Sequence, residues 1–129
     1  MELMIGGYAY KAFDKNNSTA WYTADTTAPQ YIQYNFNKTV IPYKIKIVNA
    51  KYGSSYRCKN FYIQSKNNNE EYSNITGNLV LLNNNSVQNF EITTMKQCQY
   101  VKMYIVDKYT TEKLATGICE LQVYCREVP

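Results

Sequence analysis

The feature that most constrains this chain is its hydrophobic period, which is two almost everywhere and helical nowhere. In "QYIQYNF", residues 30–36, Ile32, Tyr34 and Phe36 alternate with Tyr31, Gln33 and Asn35. Successive strand side chains point to opposite faces, so the first set reads as core and the second as solvent-facing. "YKIKIVNA", residues 43–50, repeats the pattern, with Tyr43, Ile45 and Ile47 expected inward and Lys44 and Lys46 outward. Five further candidates follow at residues 60–65, 79–82, 87–92, 99–106 and 118–124. The fourth and fifth strands are joined by "NNNS", a cluster of turn formers. Residues 8–14 are expected to form a single helical turn, and residues 65–78 read as a surface loop. Short strands at regular spacing with polar connectors predict an all-β sandwich.

Length and composition narrow what such a sandwich can do. The 129 residues suit one domain, read as spanning residues 1–129, and 45% hydrophobic residues are enough for one core. There is no histidine. Its absence excludes Ser-His-Asp and Cys-His machinery and removes the commonest transition-metal ligand. No acid pair stands out, so the chain does not read as an enzyme. The net charge of +4 comes from lysines scattered along the chain. They form no basic helix or block, which argues against nucleic acid as a partner. The 14 tyrosines suit half-buried strands and carbohydrate-facing surfaces alike.

Cys58, Cys98, Cys119 and Cys125 match no zinc or redox spacing. Two disulfides in any of three pairings are possible; reduced thiols are favoured because no secretory signal is visible. For the same reason the sequons at Asn16, Asn17, Asn37, Asn74 and Asn84 are expected to be unmodified. No stretch is long and apolar enough to span a membrane.

The order "AFDKNNSTAW", "PQYIQYNF", "IPYKIKIVNA", "RCKNFYIQSKNNNEEY", "CQYVKMYIV" and "GICELQVY" resembles the discoidin family, also called the coagulation factor V/VIII C-type domain. The likeness runs from Ala9 to Tyr124 and is most specific at its two ends. It implies a jelly-roll β-sandwich of the galactose-binding-domain type. Lys15 stands where the family carries glycine, "SKNNNEEY" only loosely replaces "SNDGxxW", and the first strand looks abbreviated.

The resemblance also implies sites. The family's calcium loop would map onto the Lys11 and Asn16 carbonyls, the Asp14 carboxylate and Thr19, with the Cys119 carbonyl and the Glu120 carboxylate from the last strand. Six to eight hard oxygens are what calcium needs, and the ion would be structural. Trp21, by its family position, reads as a core anchor. Ligand-binding residues are expected in loops at one end: Tyr22; Asn49, Lys51, Tyr52, Tyr56 and Arg57; and Asp107 and Tyr109. Sugar recognition needs aromatic faces and planar hydrogen-bonding groups, which these supply.

The leading expectation is a non-catalytic glycan-binding module of a phage tail, virion or cell-surface protein. The alternative is a structural or adaptor module that binds protein neighbours in an assembly, including an intracellular one. A phospholipid-binding role is disfavoured because the candidate loops lack an apolar spike.

Overall fold

The computed structural model describes residues 30–51, 56–110 and 116–128, together with the backbone pairing of residues 2–3 and 21–22. Nine strands follow in order: β1 (Glu2–Leu3), β2 (Trp21–Tyr22), β3 (Gln30–Asn49), β4 (Asn60–Lys66), β5 (Ser73–Asn74), β6 (Leu79–Val80), β7 (Val87–Glu91), β8 (Cys98–Ile105) and β9 (Gly117–Glu127). No helix occurs among the described residues, and none is long and apolar enough to cross a membrane. The helical turn expected at residues 8–14 lies outside them.

Two of the expected strands are one. β3 runs for 20 residues and belongs to both layers of a curled antiparallel sheet. Its first part, Gln30 to Asn35, pairs with β8, which pairs in turn with β4. Its second part, Val40 to Asn49, lies between β7 and β9. The register shifts between Asn35 and Val40. At that corner Asn37 adopts a φ of 59°, and its N–H donates to Asn35 Oδ1 at 2.8 Å. Asparagine tolerates the left-handed region because its short side chain bonds locally, so a polar residue turns the strand without ending it.

The two layers close on an apolar filling. Ile32, Ile63, Val101 and Met103 come from one layer, and Ile45, Ile47, Leu121 and Val123 from the other. Phe61 on β4 meets Phe90 on β7 edge-to-face, with ring centroids 5.3 Å apart. Each large side chain buried this way contributes about 1.5–3 kcal/mol. The alternation expected for β3 is therefore observed at Ile32, Phe36, Ile45 and Ile47.

Tyr43 departs from it. A bulge between Pro42 and Lys44 interrupts the pairing with β9. Tyr43 is half-buried against Tyr124 (centroids 6.3 Å apart), with the Arg126 guanidinium 5.3 Å above its ring. One extra residue in a strand moves the next side chain to the other face, and period reading from sequence has no signal for it.

The stretch 65–78 is less irregular than expected. β5 pairs with β4, and the Ile75 N–H donates to the Ile63 carbonyl at 2.9 Å. All four cysteines are buried free thiols. Burial pushes Cys98 up to about 11 and Cys125 up to about 12, so both are held protonated at neutral pH.

Candidate functional site

One end of the sandwich gathers chain from five places. Gly117, the first residue of β9, pairs with Tyr22 on one side and with Arg57 on the other. The Gly117 N–H also donates to the Tyr56 carbonyl at 2.8 Å. Cys58 bridges to Lys108, and the Tyr109 N–H donates to the Arg57 carbonyl at 3.1 Å. The 49–60 loop, the 107–110 segment and β2 thus meet, which brings Tyr22, Asn49, Lys51, Tyr56, Arg57, Asp107 and Tyr109 to one end. Tyr52 lies outside the described residues. For Tyr22 only the strand pairing is described.

Arg57 organises this end. Its Nε donates to the Ala50 carbonyl at 2.8 Å and Nη2 to the Lys51 carbonyl at 3.2 Å. Nη1 reaches both the carbonyl and the Oδ1 of Asn83, at 3.1 and 3.2 Å. The planar guanidinium fork suits this task because it spreads several donors across one fixed plane. It ties the end of β3 to residues 81–85, a loop the sequence marked only as a turn between two strands. Asn83 and Asn85 are therefore members of this end that sequence reading missed. The signal was present in "NNNS", but nothing in a linear chain says which end of a sandwich a turn will occupy.

Asn49 is fully buried and faces inward. Its Nδ2 donates to the Cys58 carbonyl at 2.8 Å, and its Oδ1 accepts from the N–H groups of Ala50 and Cys58, each at 3.0 Å. The Asn49 carbonyl accepts from Asn85 Nδ2 at 2.7 Å, and the same Nδ2 approaches Cys119 Sγ at 3.7 Å. Asn49 therefore builds the platform and does not offer its amide to solvent. Its expected role as a contact residue gives way to one as a brace, because a buried amide must use its donors and acceptors inside the protein.

Asp107 and Tyr109 hold the opposite wall. Asp107 Oδ1 accepts from the Asn60 N–H at 3.1 Å and from Asn60 Nδ2 at 2.8 Å. The Tyr109 hydroxyl donates to the Leu81 carbonyl, and the Lys59 ammonium lies 5.7 Å from its ring centroid. Burial, reinforced by the Asp107 charge, pushes the Cys58 thiol far above its ordinary range. The surface left to solvent carries Lys51, Asn83 and the Asp107 carboxylate, all exposed. Such a rim can bind hydroxylated ligands by hydrogen bonds. Among the described residues it presents no nucleophile–base pair.

The metal residues divide. Lys11, Asp14, Asn16 and Thr19 lie outside the described residues. Cys119 and Glu120 are adjacent on β9, each 1% exposed, and Glu120 pairs with Val48. A carboxylate at that depth requires compensation by positive charge or by donors. Among the described residues no three acidic or cysteine side chains are gathered to hold an ion. A cleft of about 280 Å³ lined by Ile41, Tyr43, Glu91, Met95 and Arg126 contains none of the expected site residues.

The sequence model of the F5/8 type C domain matches residues 5–121. The chain belongs to the F5/8 type C domain family. Among solved structures, it is similar to the C-terminal domain of a chitobiase from Bacteroides fragilis, at 20% identity and a TM-score of 0.76 over 94% of this chain and 82% of that one. It is also similar to the family 32 carbohydrate-binding module of C. perfringens NanJ in complex with galactose. There the identity is 21% and the TM-score 0.73, over 95% of this chain and 90% of that one. A chitosan-binding module of a chitosanase/glucanase from Paenibacillus sp. IK-5 matches at 21% identity and a TM-score of 0.70, over 96% of this chain and 92% of that one. No curated protein matches the chain. The expected galactose-binding-like sandwich is thus the fold of this F5/8 type C domain.

Proposed function

We propose that this F5/8 type C domain is a non-catalytic carbohydrate-binding module that takes a glycan at the Arg57 end. The observation that carries the reading is the convergence of the three predicted loop elements around Arg57 and Gly117, with Lys51, Asn83 and Asp107 left at the surface. The similar modules whose solved structures concern galactose and chitosan support a saccharide as ligand class. Arg57 and Asn49 fix the platform, and the exposed amide, ammonium and carboxylate hydrogen-bond sugar hydroxyls.

A glycan array followed by amide chemical-shift mapping tests this. Hits with shifts confined to residues 49–60, 82–85 and 107–110 are expected. An array without hits, or shifts elsewhere only, would overturn it. A structural or adaptor role is the second reading, favoured by the exposed Val80, Leu82 and Val87 on the flank beside this end. Capture of a protein neighbour that protects those three residues from exchange would support it.

The proposal includes a structural calcium ion held by Asp14 and Glu120, with Thr19 and the Lys11, Asn16 and Cys119 carbonyls. The buried Glu120 carboxylate fits a cation's neighbourhood, and the ion would tie the early loop to β9. An unchanged melting temperature between calcium and chelator would remove the ion from the reading.

A further inference from the structure

The outer face of the β3–β8–β4 layer carries nine side chains in three cross-strand rows. Tyr31, Tyr104 and Tyr62 form the first row, and Gln33, Lys102 and Gln64 the second. Asn35, Tyr100 and Lys66 form the third. At ordinary strand spacing and rise this block measures about 10 Å by about 14 Å. It holds two ammonium groups and no carboxylate.

The lysines are held by aromatic rings. Lys102 Nζ lies 4.7 Å from the Tyr31 centroid and 4.1 Å from that of Tyr72, which reaches over from the segment after β4. Lys66 Nζ lies 5.6 Å from the Tyr72 centroid and 4.7 Å from that of Tyr100. Tyr72 donates its hydroxyl to Gln33 Oε1 at 3.3 Å, and Tyr100 donates to Asn68 Oδ1 at 2.9 Å. Tyr62 and Tyr104 stack with centroids 4.8 Å apart at an interplanar angle of 17°. The ion pair among the described residues, Lys38 with Glu127, involves neither lysine.

Two like charges share one tyrosine ring, and among the described residues neither is in an ion pair. Each cation–π contact helps one ammonium, but no contact offsets the repulsion between the two. Burial first, and the Lys66 charge after it, lower the Lys102 pKa. The group that would complete the set is an anion presented from outside.

The surroundings define what carries it. Each of these rings commits a face to an ammonium group or to a neighbouring ring, which leaves fewer surfaces for nucleobases to stack on. None of the nine side chains is aliphatic, so there is no wedge for a lipid bilayer. What remains at the surface is carboxamides and phenol groups, which pair with sugar hydroxyls. We infer that this face is a second saccharide-binding surface, separate from the Arg57 end, for a polysaccharide bearing carboxylate or sulfate groups that pair with Lys66 and Lys102. It uses different residues from the loop-end site, so either can fail without the other.

Affinity electrophoresis and chemical-shift mapping of the full chain test the inference, with polygalacturonate, dextran sulfate and neutral dextran as probes at low salt. Retardation by one or both anionic polymers is expected, with shifts on β4, β8 and the first part of β3. The polymer that works identifies carboxylate or sulfate as the recognised group. The double variant Lys66→Gln/Lys102→Gln should weaken binding about tenfold. Equal retardation by neutral dextran, or by single-stranded polynucleotide, would overturn the inference. So would shifts confined to residues 49–60 and 107–110. Should the double variant fold poorly, the mapping on the native chain still decides.

Discussion

The loop end and the sheet face use polar side chains in opposite ways. At the loop end the strongest donors are turned inward: Arg57 serves three carbonyls and one side-chain oxygen, and Asn49 is buried. On the sheet face the charged groups stay out, propped by rings and without a counter-ion among the described residues. A loop lacks ladder partners, so its backbone must be satisfied by side chains, and its most capable residues are drawn into that task. A strand satisfies its own backbone and leaves its side chains available.

This contrast can be broken in graded ways. The largest effect is expected from alkali. The Cys98 and Cys125 thiols have folded pKa values above their ordinary 9, at about 11 and about 12, and Cys58 is raised further. A group with a raised folded pKa binds its proton more tightly when folded. Its stability is therefore complete below pH 9 and is lost as pH rises toward 11 and 12. Urea midpoints measured from pH 7 to 11 should fall steeply above 9, and Cys98→Ala should flatten part of that fall. A midpoint level across the range would contradict the burial argument.

Asn49→Ala comes next. It strands the Cys58 and Ala50 N–H groups and the Cys58 carbonyl, for a cost of about 3 kcal/mol in urea unfolding. Arg57→Lys keeps the charge but loses the fork, so a loss of about 2 kcal/mol is expected, with faster amide exchange at residues 50–51 and 83. Lys66→Gln/Lys102→Gln should leave stability within about 0.5 kcal/mol, because lost cation–π contact and relieved repulsion oppose each other. A large loss there would mean that the sheet face is a brace like the loop end. Lys38→Ala marks the floor: its pair with Glu127 is 48% and 60% exposed, and the change should cost less than about 0.5 kcal/mol.

Much of the fold was legible from local pattern. Ile32, Ile45 and Ile47 are core residues for the reason their alternation indicated. The joining of two expected strands into β3 was not legible, since "NKTVIP" reads as a break and becomes a corner only when both layers pull on it. For the site, the sequence named the loops that converge but misjudged what Asn49 does and left out Asn83 and Asn85. Hydrogen-bond direction depends on burial, and burial is set by neighbours distant in the chain.

The Tyr/Lys face shows the same division. By itself, the sequence determined which residues of the first part of β3 share a face, because a period of two leaves no choice where no bulge interrupts it. That Tyr31, Lys102 and Lys66 stand together, with Tyr72 between the two ammonium groups, was decided only by strand order and register. Those follow from closing a whole core, a constraint that no single segment contains.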